Sequence, residues 1–125
     1  MTFDELKEEV LETYMKYYVE GFKLNDISLI DKMVKYPIAH IHAGSVTMCD
    51  SYPVNPQQLK EDIGWDHSID WNFEVTAVNE KDAHAVASAV RCRKDGSKTE
   101  SVHGFYAFTK TDEGWKMYTV ADIAF

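Results

Sequence analysis

The C-terminal segment, residues 104–125, constrains the fold of this chain more than any other part of the sequence. It contains two runs rich in aromatic and β-branched residues, Phe105–Lys110 and Trp115–Phe125, which Thr111-Asp112-Glu113-Gly114 separates. Short runs of this composition on either side of an Asp/Gly turn predict an antiparallel hairpin. The length of its loop then decides which residues face each other across the two strands.

The register of this hairpin predicts which side chains share a face. A loop of Asp112 and Glu113 gives three facing pairs: Phe108 with Met117, Tyr106 with Thr119 and Gly104 with Ala121. Because successive side chains of a strand point to opposite faces, Gly104, Tyr106 and Thr119 share one face. The opposite, outer face carries the other set: His103, Phe105, Ala107, Tyr118, Val120 and Asp122.

The preceding hairpin adds small residues to the first face. Lys94-Asp95-Gly96-Ser97 is the strongest two-residue turn signal in the chain. Its register places Ala87 opposite Gly104 and Arg91 opposite Glu100. A buried face with so little side-chain volume beside Tyr106 either admits a bulky group from another element or leaves a pocket. Arg91 could lie at the mouth of such a pocket or pair with Glu100 across the strands.

The first half of the chain predicts three helices and a short hairpin. Thr2 and Glu5 form a capping box, and an apolar stripe at helical spacing follows it: Phe3, Leu6, Val10, Leu11, Tyr14, Tyr18 and Phe22. A second helix begins after Asn25-Asp26 and ends before Tyr36-Pro37. A third, Gln57–Trp65, is capped by Asn55. Between the second and third helices, Ile38–His42 and Val46–Asp50 predict two strands.

The order of these elements predicts the fold class. Ile69–Thr76 alternates apolar and polar residues, which indicates a half-buried strand, and Ala83–Lys94 is the strand after it. Together with the C-terminal hairpin they form a four-stranded antiparallel meander. Helices gathered on one side of a curved antiparallel sheet make an α+β fold, and the length predicts one domain, residues 1–125.

Composition excludes several classes of function. Thirteen Lys and Arg against 21 Asp and Glu give a net charge of −8, which argues against a nucleic-acid surface. No apolar run is long enough to cross a membrane, and the N-terminus lacks the charge of a signal peptide. Cys49 and Cys92 have neither the spacing of a disulfide framework nor that of a metal site. We therefore expect a cytoplasmic protein with no membrane partner and reduced thiols.

The whole chain resembles the NTF2-like superfamily, and within it the SnoaL-like and ketosteroid isomerase-like proteins. The resemblance rests on the long first helix, the Asn25-Asp26-Ile27 break, Tyr36-Pro37 before a strand, and the turns at Arg91–Gly96 and Thr111–Met117. It implies a cone-shaped sheet, with helices at one side, around a pocket for a small organic molecule. It also implies a homodimer through the outer sheet face, where the register places Phe105, Tyr118 and Val120.

The resemblance also suggests catalytic residues and an activity. The isomerase branch uses a tyrosine on the first helix and an acid on a late strand as an oxyanion hole, with a carboxylate base, and these positions correspond to Tyr18, Tyr106 and His42. His42 and Tyr106 depart from the carboxyl groups of that branch. The implied activity is a cofactor-free acid–base isomerase, cyclase or dehydratase reaction. Other expected ligand contacts are Tyr14, Phe22, His40, Trp71, Ala87, Arg91, Gly104 and Thr119.

Each candidate has an alternative interpretation. Tyr18 could be a core tyrosine, and Trp71, Phe22 and Trp65 could fill the pocket of a non-catalytic binding or dimerisation domain. His40 and His42 have a spacing that metal sites use, but no third ligand lies near in sequence, so we expect no metal.

A second set of polar residues is predicted on the outer face. The expected registers place His103 opposite both Asp122 and Ser88. With no nucleophile elbow in the sequence, such a row indicates a surface or interface hydrogen-bond network rather than a catalytic triad.

Overall fold

The computed structural model describes all residues, 1–125, and forms an N-terminal helical layer against one curved sheet. The helices are α1 (Phe3–Thr13), a π-helical segment (Tyr14–Val19), α2 (Glu20–Lys23), α3 (Ile27–Asp31) and α4 (Pro56–Ile63). The strands are β1 (Val34–His42), β2 (Ser45–Cys49), β3 (His67–Val78), β4 (Asp82–Cys92), β5 (Lys98–Thr111) and β6 (Gly114–Ala124). No helix is both long enough and apolar enough to cross a membrane.

The first helical elements run without a break from residue 3 to residue 23. The predicted capping box is confirmed, because Thr2 accepts from the Glu5 amide and Glu5 accepts from the Thr2 amide. Of the predicted apolar stripe, Leu6, Val10 and Tyr14 are buried, whereas Phe3 is 51% exposed. The π-helical segment begins at Tyr14, where the chain faces the sheet, and π turns are frequent at functional sites.

The other helices begin where the sequence predicts but end earlier. Asp26 caps α3 by accepting from the Ser28 amide, and Asn55 caps α4 by accepting from two amides. The second helix ends at Asp31, not at Tyr36, because β1 already begins at Val34. The expected helix over residues 57–65 ends at Ile63, and Gly64 terminates it with a φ of +69°.

The sheet contains six strands in the order β2-β1-β6-β5-β4-β3. The predicted meander β3-β4-β5-β6 and the predicted β1-β2 hairpin are both confirmed. The two units are joined by parallel pairing of β1 with β6, in which His40 lies opposite Val120. The sequence did not predict this pairing, because it connects strands far apart along the chain.

One irregularity changes the predicted face assignments. Phe108 lies opposite Met117 as expected, but Ala107 lies opposite Thr119, so Tyr118 is the extra residue of a β-bulge. Beyond the bulge, Tyr106 faces Val120 and Gly104 faces Asp122.

The predicted faces of three residues and one predicted row of residues are therefore wrong. Thr119 is not on the inner face beside Tyr106, because its partners are Ala107 and Ala39. Val120 and Asp122 are not on the outer face, since a shift of one residue moves every later side chain to the opposite face. The expected row of Ser88, His103 and Asp122 does not form either, as His103 lies opposite Ile123.

The main core lies between the helices and the concave face. Its fully buried members come from several elements: Val10, Ile30, Met33, Ile38, Phe108 and Met117. No charged residue and no amide side chain is among the buried residues, whose polar groups are phenol hydroxyls, the indole N–H groups of two tryptophans and the thiol of Cys92.

Candidate functional site

A cavity of about 480 Å³ lies between the helices and the concave face of the sheet. Thirteen of its 21 lining residues are hydrophobic. Eight predicted site residues line it: Tyr14, Tyr18, Phe22, Trp71, Ala87, Arg91, Gly104 and Tyr106. Phe22, Trp65 and Trp71 form part of the wall and leave this volume open. The volume falls within the range of about 300–1,000 Å³ typical of small-molecule sites.

Three tyrosines that line the cavity, Tyr14, Tyr18 and Tyr106, pack with a fourth, Tyr52, and we call these four residues the tyrosine cluster. The rings of Tyr14 and Tyr18 stack at 4.8 Å, and Tyr106 meets them at centroid distances of 5.7 and 5.8 Å. The Tyr52 hydroxyl donates to the Tyr18 hydroxyl at 3.0 Å. Tyr52 lies in the loop before α4, and no sequence pattern indicated its burial.

Burial determines the ionisation of this cluster. It raises the pKa of Tyr14, Tyr18 and Tyr52 well above the usual value, and it raises the pKa of Tyr106 as well. The phenols therefore remain protonated at any physiological pH. A protonated phenol can donate a hydrogen bond to an oxygen that gains negative charge, so these groups suit an oxyanion site.

Gly104 makes room for Tyr106. A Cβ atom at Gly104 would lie 2.9 Å from the Tyr106 hydroxyl and 3.1 Å from its Cζ. The Tyr106 side chain therefore folds back along β5 and covers Gly104. The missing volume that the sequence predicted at Gly104 is thus occupied by the phenol itself, and Gly104 in turn pairs with Asp122 on the neighbouring strand.

A second polar group of residues, His40, His42 and Asp122, lies at the edge of the cavity, and we call it the His–Asp cluster. His40 Nε2 is 2.7 Å from Asp122 Oδ1, and His42 Nδ1 is 3.2 Å from the same oxygen. His42 Nδ1 is also 3.1 Å from the Asp122 carbonyl oxygen. The two imidazole rings are stacked, with centroids 5.4 Å apart.

The members of the His–Asp cluster differ in what they face. Asp122 lines the cavity, and with His40 and His42 it also lines a neighbouring cleft of about 560 Å³. His40 and His42, which the sequence predicted as site residues, line only the cleft. Asp122 is the functional candidate that sequence reasoning missed, because the bulge at Tyr118 could not be foreseen. Thr119 lines neither space.

Arg91 marks the boundary between the two spaces. Its Nη1 atom lies 2.6 Å from Glu100 Oε1, which confirms the predicted cross-strand pair. Arg91 also lines both the cavity and the cleft, as the alternative interpretation expected. The Arg91 side chain is only 13% exposed, and Glu100 places an opposite charge next to its guanidinium.

Among the comparisons with known proteins, the one with solved structures identifies the architecture. No family model matches the chain, and no curated protein matches it.

Solved structures do match over the whole length. An NTF2-like protein from Cytophaga hutchinsonii is 10% identical, with 100% of both chains covered and a TM-score of 0.67. A candidate dehydratase of the NTF2-like family from Streptomyces avermitilis is 15% identical, covering 97% of this chain and 96% of its own, at a TM-score of 0.63. A candidate ketosteroid isomerase from Shewanella frigidimarina is 9% identical, covering 87% and 90%, at 0.57. At these identities the likeness concerns the fold, and it agrees with the resemblance seen in the sequence. The chain therefore has the NTF2-like α+β cone fold.

Proposed function

We propose that the cavity binds a small cyclic organic molecule and catalyses a cofactor-free proton transfer, either isomerisation or dehydration. The single observation that carries this proposal is the position of the Tyr106 phenol over Gly104, the residue that pairs with Asp122 on β6. A hydrogen-bond donor and a carboxylate thus lie on adjacent strands in the wall of a cavity whose lining is mostly hydrophobic.

The two groups support complementary roles. The hydroxyls of Tyr18 and Tyr106 would donate to a substrate carbonyl oxygen, which gains negative charge when the neighbouring carbon loses a proton. Asp122 would accept that proton, because it is the member of the His–Asp cluster that lines the cavity. His40, at 2.7 Å from the carboxylate, would orient it.

The proton then determines the outcome of the reaction. When protonated Asp122 returns it to another carbon of the enolate, a double bond has moved and no atom is lost. When the proton goes instead to a hydroxyl on the β-carbon, water leaves and a conjugated double bond forms. Both routes balance without an oxidant, a reductant or a cofactor.

Deuterium exchange tests the proposal directly. We would incubate the protein in D₂O with a panel of cyclic enones and hydroxylated cyclic ketones, and follow α-carbon exchange by NMR. We expect at least one compound to exchange faster with the protein than without it, and Asp122→Asn to remove the acceleration. Tyr17→Phe, which removes a phenol that does not line the cavity, is the matched control. Compounds that bind without any accelerated exchange would identify a non-catalytic binding domain.

We also propose that the protein forms a homodimer through the outer face of the sheet. Strand pairing aligns an apolar row across five strands of that face: Val46, Ile41, Ala121, Phe105 and Val86. Four of these five side chains are at least 36% exposed. A continuous exposed apolar row is typical of a protein–protein interface, and a second copy of the chain would bury the same row on both subunits.

Light scattering tests the dimer. We expect the parent to have twice the mass of the chain and Phe105→Glu to shift the equilibrium towards monomer. Leu24→Glu places the same charge at an exposed apolar residue on the helical side, so it should leave the mass unchanged. A monomeric parent at micromolar concentration would refute the proposal.

We also propose that the protein is located in the cytoplasm. Cys49 and Cys92 are both free thiols in the fold, and Cys92 is buried. A fold that contains two unpaired cysteines suits a reducing compartment. Cell fractionation with an antibody to the protein would test this.

A further inference from the structure

We infer that His40, His42 and Asp122 form a binding site for a divalent first-row transition cation at the boundary between the cavity and the cleft. The inference goes beyond the proposed proton transfer, because cation binding needs neither an organic substrate nor turnover. It rests on how β1 and β6 place three side chains of the right chemistry together.

The three donor groups match the preference of these cations. Two imidazole nitrogens and one carboxylate oxygen form a donor set that Zn²⁺ and non-haem Fe²⁺ use in proteins. In this structure one potential donor atom from each residue lies within 4.8 Å of the other two. Bonds of about 2.0–2.2 Å to a cation place neighbouring donors roughly 3–3.5 Å apart, which small side-chain rotations here can reach.

The backbone holds the three donors in position. His40 and His42 are two residues apart on β1, so their side chains point to the same face. The parallel pairing of His40 with Val120 and of Ile41 with Ala121 brings Asp122 to the same end of that face. Because the donors come from two adjacent strands, the site is formed by secondary structure and not by a mobile loop.

The charges around the cluster favour a cation. The cleft is lined by three carboxylates, those of Asp62, Glu100 and Asp122, and by one guanidinium, that of Arg91. Since Arg91 is paired with Glu100 at 2.6 Å, the carboxylates of Asp62 and Asp122 have no Lys or Arg partner in the cleft. Two positive charges placed at Asp122 would lower the electrostatic free energy of the cleft.

The exposure of the donors indicates an exchangeable site. The side chain of His42 is 49% exposed, and those of His40 and Asp122 are each 18% exposed, so a cation can enter from the cleft. Three protein ligands leave at least one coordination position for water or a ligand, as in catalytic and not structural zinc sites. Asp122 also lines the cavity, so a bound cation would lie next to any molecule held there. The cation would also occupy the carboxylate that the proposed proton transfer uses as its base, so the two roles belong to the metal-bound and the metal-free protein.

Calorimetric titration of the full chain with Zn²⁺, after removal of metals by a chelator, tests the inference. We expect one cation per chain, with affinity lowered at least tenfold by His42→Ala and by Asp122→Asn. His84→Ala is the matched control, because it removes a histidine outside the site. Cys49→Ser controls for binding of Zn²⁺ by the thiol on the neighbouring strand β2. Both controls should bind like the parent.

Co²⁺ provides a second readout that does not depend on the affinity of zinc. Two imidazoles and a carboxylate in a low-symmetry site should give visible ligand-field absorption, which His42→Ala should weaken or shift. Absence of saturable binding of Zn²⁺, Co²⁺ and Ni²⁺, or equal affinity in the parent and His42→Ala, would overturn the inference. Circular dichroism of each variant separates loss of the site from loss of the fold.

One further variant separates this inference from the proposed function. Tyr106→Phe removes a proposed catalytic hydroxyl and leaves all three donors intact. It should bind Zn²⁺ with the affinity of the parent while its proton-exchange activity falls. A protein that binds Zn²⁺ but never accelerates proton exchange would retain the cation site and lose only the proposed enzyme function.

Discussion

The tyrosine cluster and the His–Asp cluster both contribute side chains to the cavity, but they differ in their contact with water. Tyr14, Tyr52 and Tyr106 are buried, and burial raises the pKa of every phenol in the cluster. The His–Asp cluster opens to a cleft, and half of the His42 side chain is exposed. Under the two proposals above, the tyrosine cluster stays protonated and donates hydrogen bonds, whereas the His–Asp cluster exchanges protons or cations with solvent.

Alkaline pH should have the largest effect, and it should lower the stability of the fold through the buried tyrosine cluster. The folded pKa values of the four tyrosines lie above the ordinary value of 10.0, so the unfolded chain releases protons that the folded chain keeps. Their contribution to stability is fully present below about pH 10 and is lost as the pH rises beyond it. Each group lowers the free energy of unfolding by about 1.4 kcal/mol per pH unit there.

Urea denaturation at neutral pH and at about pH 11 measures this loss. Tyr14→Phe removes one titrating group and should therefore make the alkaline loss smaller. A parent protein equally stable at the two pH values would show that the phenols ionise freely. The tyrosine cluster would then not differ from the His–Asp cluster in its contact with water.

Asp122→Asn, in the His–Asp cluster, should have the next largest effect. The amide keeps the shape of the carboxylate but cannot accept the proton, so we expect the exchange rate to fall by about 10²–10⁴-fold. Affinity for the same compound, measured by thermal shift, should change much less because the apolar wall remains. Equal exchange rates in Asp122→Asn and the parent would assign the proton acceptor to another residue, with His42 the next to test.

Gly104→Ala tests the contact of the Tyr106 phenol with Gly104, which lies between the tyrosine cluster and the His–Asp cluster. The added Cβ would meet the Tyr106 hydroxyl at 2.9 Å, so the phenol must shift from its position over Gly104. We expect a loss of about 1–3 kcal/mol in the free energy of unfolding, together with weaker ligand binding. Gly96→Ala is the control, since its φ of +88° also disfavours alanine but nothing lies within 4 Å of the new atom. It should lower stability and leave ligand binding unchanged.

Tyr52→Phe should have the smallest effect. It removes the hydrogen bond from the Tyr52 hydroxyl to the Tyr18 hydroxyl, and such a bond contributes about 0.5–1.5 kcal/mol to stability. Chemical denaturation at neutral pH measures the change. A loss much above this range would mean that the Tyr52 hydroxyl supports more than one neighbour, such as Met117 Sδ at 3.8 Å.

Local signals in the sequence predicted most of the fold. The capping residues Thr2, Asp26 and Asn55 mark the helix starts correctly, because a cap depends only on its own few amides. The pairing of Arg91 with Glu100 follows from a turn a few residues away. Such features are determined by neighbours in the sequence, and they position the strands that carry Tyr106 and Ala87.

The part of the site that sequence missed depends on contacts between distant residues. Parallel pairing of β1 with β6 brings His40 to Asp122 across more than eighty residues. The burial of Tyr52 depends on how the loop before α4 packs against Tyr18. Neither the bulge at Tyr118 nor this packing has a local signal, so Asp122 was placed on the wrong face and Thr119 took its position.

The bulge at Tyr118 has a consequence for comparing chains of this fold. A single residue gained or lost in the last strand exchanges the side chains that enter the cone with those that coat its exterior, while composition and chain direction stay the same. An alignment that slips by one position here would equate Thr119 or Ala121 with residues that line another protein's cavity. Whether two such proteins share a reactive carboxylate should therefore be judged from their superposed strands, not from a sequence alignment.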